Sequence, residues 1–459
     1  MRKTLAILAG LVLVLPGGKG AFATAWTDRL GEAREAYLKS LPIPLSASAW
    51  EHWDLRREES AERQGYLGAI AEVSQWAEQA NARDSLPRKG MWVRPHGRDR
   101  SALDVLEVFD RMQVLGITDV FVETFRGGRL AFPGHPDFPH GFSSDILDLY
   151  VREGHRRNIR VHAWLHTLDF GPEWAKTHPD TLVMDGFGNP SWNVEKGSHR
   201  VAPSLPEVRE ALARIVDGAV NHGVDGIVLD YLRYPRRMKG DDIDPTPDPR
   251  QFFGYAPRQR LALESRRPEL AAEGFRHFLS TGRVSREGER SALLNRWKTA
   301  LSEDIEGLID HLRARVGRRA LLGAAYFPDY YFHPHDARLQ ESRRWLDRFD
   351  LLAPMCYSYH LDQAPGPYGD YTIERALTIV QESLDGLALP RSPILMPVLA
   401  PDPPGTPAEA PRHHRSLREQ TAWLKGRLAD QAFPAVSGVS YFCLGWIHPD
   451  LEDRRRASE

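Results

Sequence analysis

Short apolar runs alternate with amphipathic segments along most of this chain. From Gly90 onward, eight apolar runs have the length of buried strands, and segments with apolar residues at helical spacing separate them. The runs are residues 90–93, 119–122, 160–164, 226–229, 320–325, 351–355, 394–399 and 438–442. Such strand–helix alternation predicts an α/β fold whose parallel strands close into a (β/α)8 TIM barrel.

The helix before the fourth strand illustrates this pattern. It opens on Ser204-Leu205-Pro206-Glu207, which predicts a capping box with proline in the first turn. Apolar residues then share one helical face, and we expect that face to cover the strand that ends at Asp230. The residues of this face are Val208, Leu212, Ile215, Val216 and Ala219.

Four segments accompany the barrel, which we assign to residues 89–449. Residues 1–23 have the charged start, short apolar core and small-residue site of a secretory signal peptide, with cleavage near Ala23. Residues 24–88 predict an N-terminal helical segment, and residues 450–459 form a charged tail. Residues 236–294 predict a helical insertion at the rim of the site or a mobile lid. We therefore expect an exported protein, periplasmic or extracellular.

Composition bears on whether the protein binds nucleic acid, enters a membrane or forms disulfides. The chain has 459 residues, a net charge of -2 and 27% charged residues, which gives no general reason to expect nucleic acid. No later segment supplies the roughly 20 apolar residues of a membrane span, so we expect no stable membrane insertion after signal cleavage. The two cysteines, Cys356 and Cys443, are expected to be buried thiols near the ends of non-adjacent strands.

The ends of the predicted strands carry the residues that can do chemistry, because active sites of TIM barrels lie there. The fourth strand is the most informative, since its apolar run stops abruptly at Asp230 and continues into Tyr231 and Arg233. The alternative is that Asp230 only pairs with Arg233 or caps the next loop. The other strand ends offer Arg94, His96, Glu123, Thr124, Arg126, His162, Trp164, His166, Asp169, Tyr326, Asp329, Tyr357, His360, Tyr441 and Trp446.

These residue types suit a carbohydrate-binding cleft. Aromatic rings stack on pyranose faces, polar side chains bond hydroxyls, and paired carboxyl groups can cleave a glycosidic bond without a cofactor. A metal site at His162, His166 and Asp169 is the weaker interpretation, because these residues lack the spacing of a helical ligand pair. The sequence contains neither a Gly-rich phosphate loop nor a nucleophile elbow.

The chain resembles the bacterial glycosyl-hydrolase-like family 10 over roughly residues 88–448. The motifs that carry the resemblance are RKGMWV at 88–93, FVET at 121–124, VHAW at 161–164, DGIVLDYLRYP at 225–235 and DLLAPMCY at 350–357. The resemblance implies an exported (β/α)8 glycosidase, with at least one relative that acts on peptidoglycan glycan strands stripped of their peptides. This chain departs from many relatives at His166-Thr167, where they have asparagine and proline, and in its long insertion.

By position, the resemblance matches Asp230 to the family's strand-four acid and Glu123 to its strand-two acid. We predict that Asp230 is the nucleophile or base and that Glu123 is the acid. If Glu123 only braces Arg94 or Arg126, Asp169 and Asp329 are the substitutes. The residues predicted to bind substrate are Arg94, His162, Trp164, Tyr231, Arg233, Tyr326, Asp329 and Tyr357.

Trp164 is predicted to stack on a bound sugar ring, although a place in the core is an open alternative for Trp164, Tyr326 and Tyr357. The predicted function is hydrolysis of a polysaccharide, with peptide-free peptidoglycan glycan as the leading candidate. A non-catalytic carbohydrate-binding barrel is the alternative from another class. A transglycosylase or an amidohydrolase on the same barrel is a third possibility.

Overall fold

A computed structural model describes residues 19–40, 61–95, 102–235, 248–284, 289–328, 346–357, 373–387, 389, 392–400 and 417–443. Within these ranges, eight parallel barrel strands each overlap one of the predicted runs. They are β1 (Arg88–Val93), β2 (Asp119–Arg126), β3 (Arg160–His166), β4 (Gly226–Asp230), β5 (Leu321–Tyr326), β6 (Leu351–Pro354), β7 in two pieces (Ile394–Leu395 and Val398–Leu399) and β8 (Gly438–Tyr441). A two-residue strand, Arg129–Leu130, pairs antiparallel with the end of β2.

The sheet closes on itself through β7. Neighbouring strands pair in sequence order from β1 to β6, and β1 also pairs with β8. The first piece of β7 pairs with β6, whereas its second piece pairs with β8. Because β7 joins both edges, the strands form a closed barrel, and the predicted (β/α)8 fold class is confirmed.

Helices cover the outside of the barrel, as the alternating pattern predicts. In the described ranges they are α1 (Lys19–Ser40), α2 (Ala61–Ala82), α3 (Ala102–Val114), α4 (Ile146–Arg156), α5 (Gly171–Thr177), α6 (Pro206–Asn221), α7 (Pro257–Arg266), α8 (Glu273–Thr281), α9 (Glu289–Val316), α10 (Ile373–Asp385) and α11 (Leu417–Ala429). The predicted apolar face of α6 is buried. The predicted capping box is wrong, because Leu205 is the N-cap of α6 and its side chain makes no capping hydrogen bond.

Strand residues alternate between two layers of core, since successive side chains point to opposite faces of a sheet. The outer layer lies between strands and helices, and Ile227 and Leu229 of β4 belong to it. The inner layer fills the barrel with side chains from several strands, including Trp92, Phe121, Trp164, Val228, Ala353 and Met396. Asp230 follows Val228 by two residues, so its carboxyl faces the interior at the C-terminal end of the barrel.

The N-terminal helices α1 and α2 pack together and against α3, so the described part of the segment predicted to be helical contains two helices. Tyr66 donates a hydrogen bond to the Asp110 carboxylate, with oxygen distances of 2.9 and 3.0 Å. Arg34 and Arg157 donate to the same carboxylate at 2.7 and 2.8 Å. Because this cluster is largely buried, the two helices are attached to the barrel through charged hydrogen bonds as well as apolar contacts.

In the described part of the predicted insertion, α7 and α8 are helices, and α9 begins within the predicted bounds, at Glu289. The insertion is joined to the loop after β3, because Gly186 donates its N–H to the Arg250 carbonyl at 2.8 Å. Arg258, one of its many arginines, contacts Asp180 at 2.6 Å and Glu207 at 2.5 Å. Residues 236–247, which open the predicted insertion, lie outside the described ranges.

Two further expectations concern cysteines and membrane spans. Cys356 and Cys443 are buried and outside any disulfide, as predicted, and burial raises the pKa of the Cys356 thiol. Among the helices that the structure describes, none is long and apolar enough to cross a membrane.

Candidate active site

Asp230 ends β4 at the mouth of the barrel, and both of its carboxylate oxygens accept hydrogen bonds. The Trp164 indole Nε1 donates to Oδ2 at 2.9 Å, and the Tyr231 backbone N–H donates to Oδ1 at 2.6 Å. The side chain is largely shielded, with 8% of the residue exposed. Two donors, one on β3 and one just after β4, therefore hold this carboxylate in one orientation.

Tyr231 turns sharply after β4, with a φ of 54° in the left-handed region that residues other than glycine rarely occupy. Its ring stacks on His166, with centroids 4.4 Å apart. The guanidinium groups of Arg200 and Arg233 also lie 4.5 and 5.2 Å from the ring centroid. Burial and the nearby Asp230 raise the pKa of the Tyr231 hydroxyl, so this group stays neutral at physiological pH. Tyr231 is thus part of the wall beside Asp230.

Glu123, on β2, lies among cationic side chains. Its Oε1 is 3.1 Å from His166 Nε2 and 3.2 Å from Arg94 Nε, and its Oε2 is 3.4 Å from Arg126 Nη1. Burial alone would raise the pKa of Glu123, but the close contact with His166 and the charges of Arg94 and Arg126 lower it to about 2. A carboxyl group that is ionised at neutral pH has no proton to give a leaving group. This environment argues against the predicted acid role and favours the alternative in which Glu123 braces its cationic neighbours.

Trp164 is a core residue, so the prediction of an open stacking platform is wrong. Only 1% of it is exposed, and its ring packs edge-on against Trp92 and Phe442 with centroids 5.1 and 5.9 Å away. The Arg94 guanidinium lies 5.3 Å from the Trp164 ring centroid. What Trp164 contributes to the site is its indole N–H, which orients Asp230.

Two other predicted substrate-binding residues lie away from the mouth. His162 precedes His166 by four residues, about 13 Å of strand, and its Nε2 is 2.9 Å from Asp119 Oδ1 at the other end of the barrel. Tyr326 belongs to the outer layer and is 1% exposed, because its place on β5 points its side chain toward the helices. Both predictions are corrected. The same distance along β3 prevents His162 and His166 from sharing a metal ion.

Arg233 forms its ion pair with Glu195, not with Asp230. Arg233 Nη1 donates to Glu195 Oε1 at 2.7 Å, and Arg200 Nη2 donates to the other oxygen at 2.9 Å. The structure therefore does not show the predicted alternative in which Asp230 only pairs with Arg233. The other form of that alternative, in which Asp230 caps the next loop, has a counterpart in the hydrogen bond from the Tyr231 N–H. Glu195 and Arg200 lie in the long loop after β3, where no pattern in the sequence marks them as neighbours of the site.

The remaining predicted residues have different outcomes. Tyr357 belongs to the inner layer, and its ring centroid lies 5.4 Å from that of Phe442. Asp169, a substitute acid, accepts the backbone N–H of His199 at 2.8 Å and so braces the loop after β3. The other substitute acid, Asp329, lies outside the described residues, as do His96, His360 and Trp446.

A (β/α)8 barrel with carboxylates at the ends of β2 and β4 belongs to an architecture that many glycoside hydrolases use. Residues 138–276 match the model of a family described as glycosyl hydrolase-like 10. The glycosyl hydrolase YngK of Bacillus subtilis is 24% identical over 113 residues, which are 24% of this chain and 22% of that relative's length. These matches confirm the resemblance that the sequence motifs indicate, over a narrower stretch than the motifs span.

Solved structures share the barrel. The glycoside hydrolase domain of PgaB from Bordetella bronchiseptica has a TM-score of 0.53 at 14% identity, covering 80% of this chain and 98% of that domain. A β-galactosidase from Marinomonas ef1 has a TM-score of 0.51 at 16% identity, covering 78% of this chain and 54% of the enzyme. At such low identity, these likenesses establish the fold.

Proposed function

We propose that this protein is a glycoside hydrolase that cleaves a polysaccharide, with Asp230 as the nucleophile or base. The observation that carries the proposal is the Asp230 carboxylate, which faces inward at the end of β4 and is held by the Trp164 indole and the Tyr231 amide. A carboxylate oriented in this way can attack an anomeric carbon or take a proton from an attacking water. The family match and the barrel fold support the same class of reaction.

The proposed substrate is peptidoglycan glycan that has lost its peptides. The resemblance to the family suggests this polymer, and removal of its peptides leaves a free carboxylate on each muramic acid residue. Arg94 and Arg126 at the mouth supply cations that can pair with such groups. Export directed by residues 1–23 would bring the enzyme to the compartment that contains the polymer.

A non-catalytic carbohydrate-binding barrel is the second candidate, and one observation favours it. Glu123 is ion-paired with a pKa of about 2, so the predicted carboxylate pair lacks a proton donor. A barrel that had lost its acid would bind glycan without cleaving it. The two candidates therefore differ in whether the wild-type protein forms new reducing ends.

The test measures reducing ends formed from glycan strands stripped of peptides with an amidase. We expect the wild type to release them and Asp230→Asn to be about 10³-fold slower or worse, with glycan binding and thermal unfolding nearly unchanged. Asp225→Asn is the matched control, because Asp225 precedes the same strand at the opposite end of the barrel and contacts His155 at 2.9 Å. Binding without cleavage by the wild type would favour the non-catalytic barrel, and full turnover by Asp230→Asn would remove Asp230 from the mechanism.

A further inference from the structure

His166 ends β3 in the space between Glu123 and Tyr231, directly beside Asp230 in the sheet. Its Nε2 is 3.1 Å from Glu123 Oε1, and its ring stacks on Tyr231 with centroids 4.4 Å apart. His166 and Asp230 are backbone partners in the register of β3 and β4. The histidine is 4% exposed, so its ring is fixed by packing on several sides.

Glu123 determines which ring nitrogen of His166 can exchange a proton with a substrate. A carboxylate that binds one imidazole nitrogen fixes the orientation of the ring and stabilises its protonated form. Because Nε2 is the nitrogen 3.1 Å from Glu123 Oε1, Nδ1 is the nitrogen left for proton transfer. The two groups are close enough for a carboxylate–histidine dyad, although they are not aligned as a hydrogen bond in this structure.

Among the residues that the structure describes, the other inward-facing groups near Asp230 are poorly suited to give up a proton at neutral pH. Burial would lower the pKa of the Arg94 guanidinium, but the Glu123 carboxylate raises it, so Arg94 retains its proton. Burial raises the pKa of the Tyr231 hydroxyl, and Glu123 has already lost its proton. His166 is also closer to Asp230 than Glu123 is, because β3 lies about 5 Å from β4, whereas β2 lies about 10 Å from it.

We propose that His166 is the general acid of the reaction and that Glu123 is the positioning residue that orients it. The assignment rests on the proposed hydrolase function. Protonated His166 gives its Nδ1 proton to the glycosidic oxygen as the bond from that oxygen to the anomeric carbon breaks, and the bonding electron pair stays on the oxygen. If Asp230 attacks the anomeric carbon, the glycosyl ester that forms is then hydrolysed by a water, which gives its proton to neutral His166 as the bond from Asp230 to the anomeric carbon breaks. If a water attacks directly, its proton passes to Asp230, and exchange with solvent then returns Asp230 and His166 to their starting states.

Several charged side chains surround the His166 imidazole. Glu123 Oε1 is 3.1 Å from its Nε2, Arg94 and Arg126 contact the same Glu123 carboxylate, and Asp230 is the strand neighbour of His166. Tyr231 covers one face of the ring. Glu123 is therefore the charged residue whose replacement tests the assignment most directly.

The decisive experiment compares two substrates in wild type and His166→Asn. On peptide-free glycan strands, the variant should be about 10²–10⁴-fold slower. On the dinitrophenyl glycoside of N-acetylglucosamine, whose leaving group needs no proton, the variant should stay within a fewfold of the wild type. The control is His155→Asn, a surface histidine that pairs with Asp225 and should match the wild type on both.

Each outcome has one meaning. An inactive wild type would overturn the proposed function and this assignment with it. Two results with an active wild type would overturn the acid role alone. In the first, His166→Asn cleaves glycan as fast as the wild type. In the second, His166→Asn loses the same activity on both substrates.

Glu123→Gln provides an independent measurement should His166→Asn fold poorly. This variant keeps the size of Glu123 and one of its two acceptor oxygens but removes its charge. The basic limb of kcat/KM against pH should move to lower pH, whereas a merely structural Glu123 would change the yield of folded protein and leave the limb in place. An unmoved limb in folded Glu123→Gln would refute the dyad.

Discussion

Replacing Trp164 with alanine should cost stability as well as activity. Only 1% of Trp164 is exposed, and its indole packs against Trp92 and Phe442. The ring also lies beside the Arg94 guanidinium, and its N–H donates a hydrogen bond to Asp230. Removing a buried tryptophan side chain typically costs about 3–5 kcal/mol. The lost donor to a carboxylate adds to this cost, so we expect Trp164→Ala in the upper part of that range. Trp164→Phe keeps most of the packing and loses the N–H, for which about 1.5–3 kcal/mol is expected.

Urea unfolding of the wild type and both variants measures these costs, and glycan titration of the folded fraction measures binding. Phe187→Ala is the matched control, because Phe187 is 55% exposed and its removal should change stability by about 0.5 kcal/mol or less. If Trp164→Ala were as stable as Phe187→Ala and had lost only affinity for glycan, Trp164 would be a sugar platform and the packing argument would be refuted.

Three further predictions concern other parts of the chain. Burial raises the pKa of Asp304 from its ordinary value of 3.8 to about 7. The folded state therefore favours the neutral carboxyl, and the stability that comes from this preference is full in acid and is lost as pH rises through about 7. The expected change in the free energy of unfolding is on the order of 4 kcal/mol. Urea unfolding measured across this pH range should show that Asp304→Asn loses less stability with rising pH than the wild type or the exposed control Asp310→Asn. If the free energy of unfolding fell with pH in parallel for all three proteins, the argument would be contradicted. Tyr66→Phe should cost about 1–3 kcal/mol in the same assay, because Asp110 loses a buried donor, and no loss would contradict this. N-terminal sequencing of protein from its natural host should begin near Thr24, and a sequence beginning at Met1 would contradict export with cleavage.

The strands could be predicted because hydrophobic periodicity is a local property of the sequence. Each buried strand is a short apolar run, and the run before Asp230 ends so abruptly that the sequence alone marks Asp230 as a catalytic candidate. The helical face of α6 was predicted for the same reason. Its cap was not, because the chain enters the helix at Leu205, one residue later than the capping sequence predicts.

The layer and depth of a side chain were harder to predict, since they depend on where the barrel begins and how its strands are staggered. Tyr326 falls at the end of β5 and yet points outward, because the inward-facing position is its neighbour Ala325. His162, Trp164 and His166 share the inward face of β3 but lie at three depths. Only the strand pairing shows that His166 is level with Asp230 while His162 contacts Asp119.

The chemical difference between Glu123 and Asp230 arises from partners that the sequence does not place together. Both are inward-facing carboxylates at strand ends, which is why they were predicted as a catalytic pair. Glu123 contacts His166, Arg94 and Arg126, so its ionised form is stabilised and it holds these side chains in place. Asp230 meets two neutral N–H donors, which orient it and leave its charge available to a reacting sugar. A hydrolase needs a proton donor near such a carboxylate. Because Glu123 is ionised, the neighbouring His166 is the better candidate for the general acid.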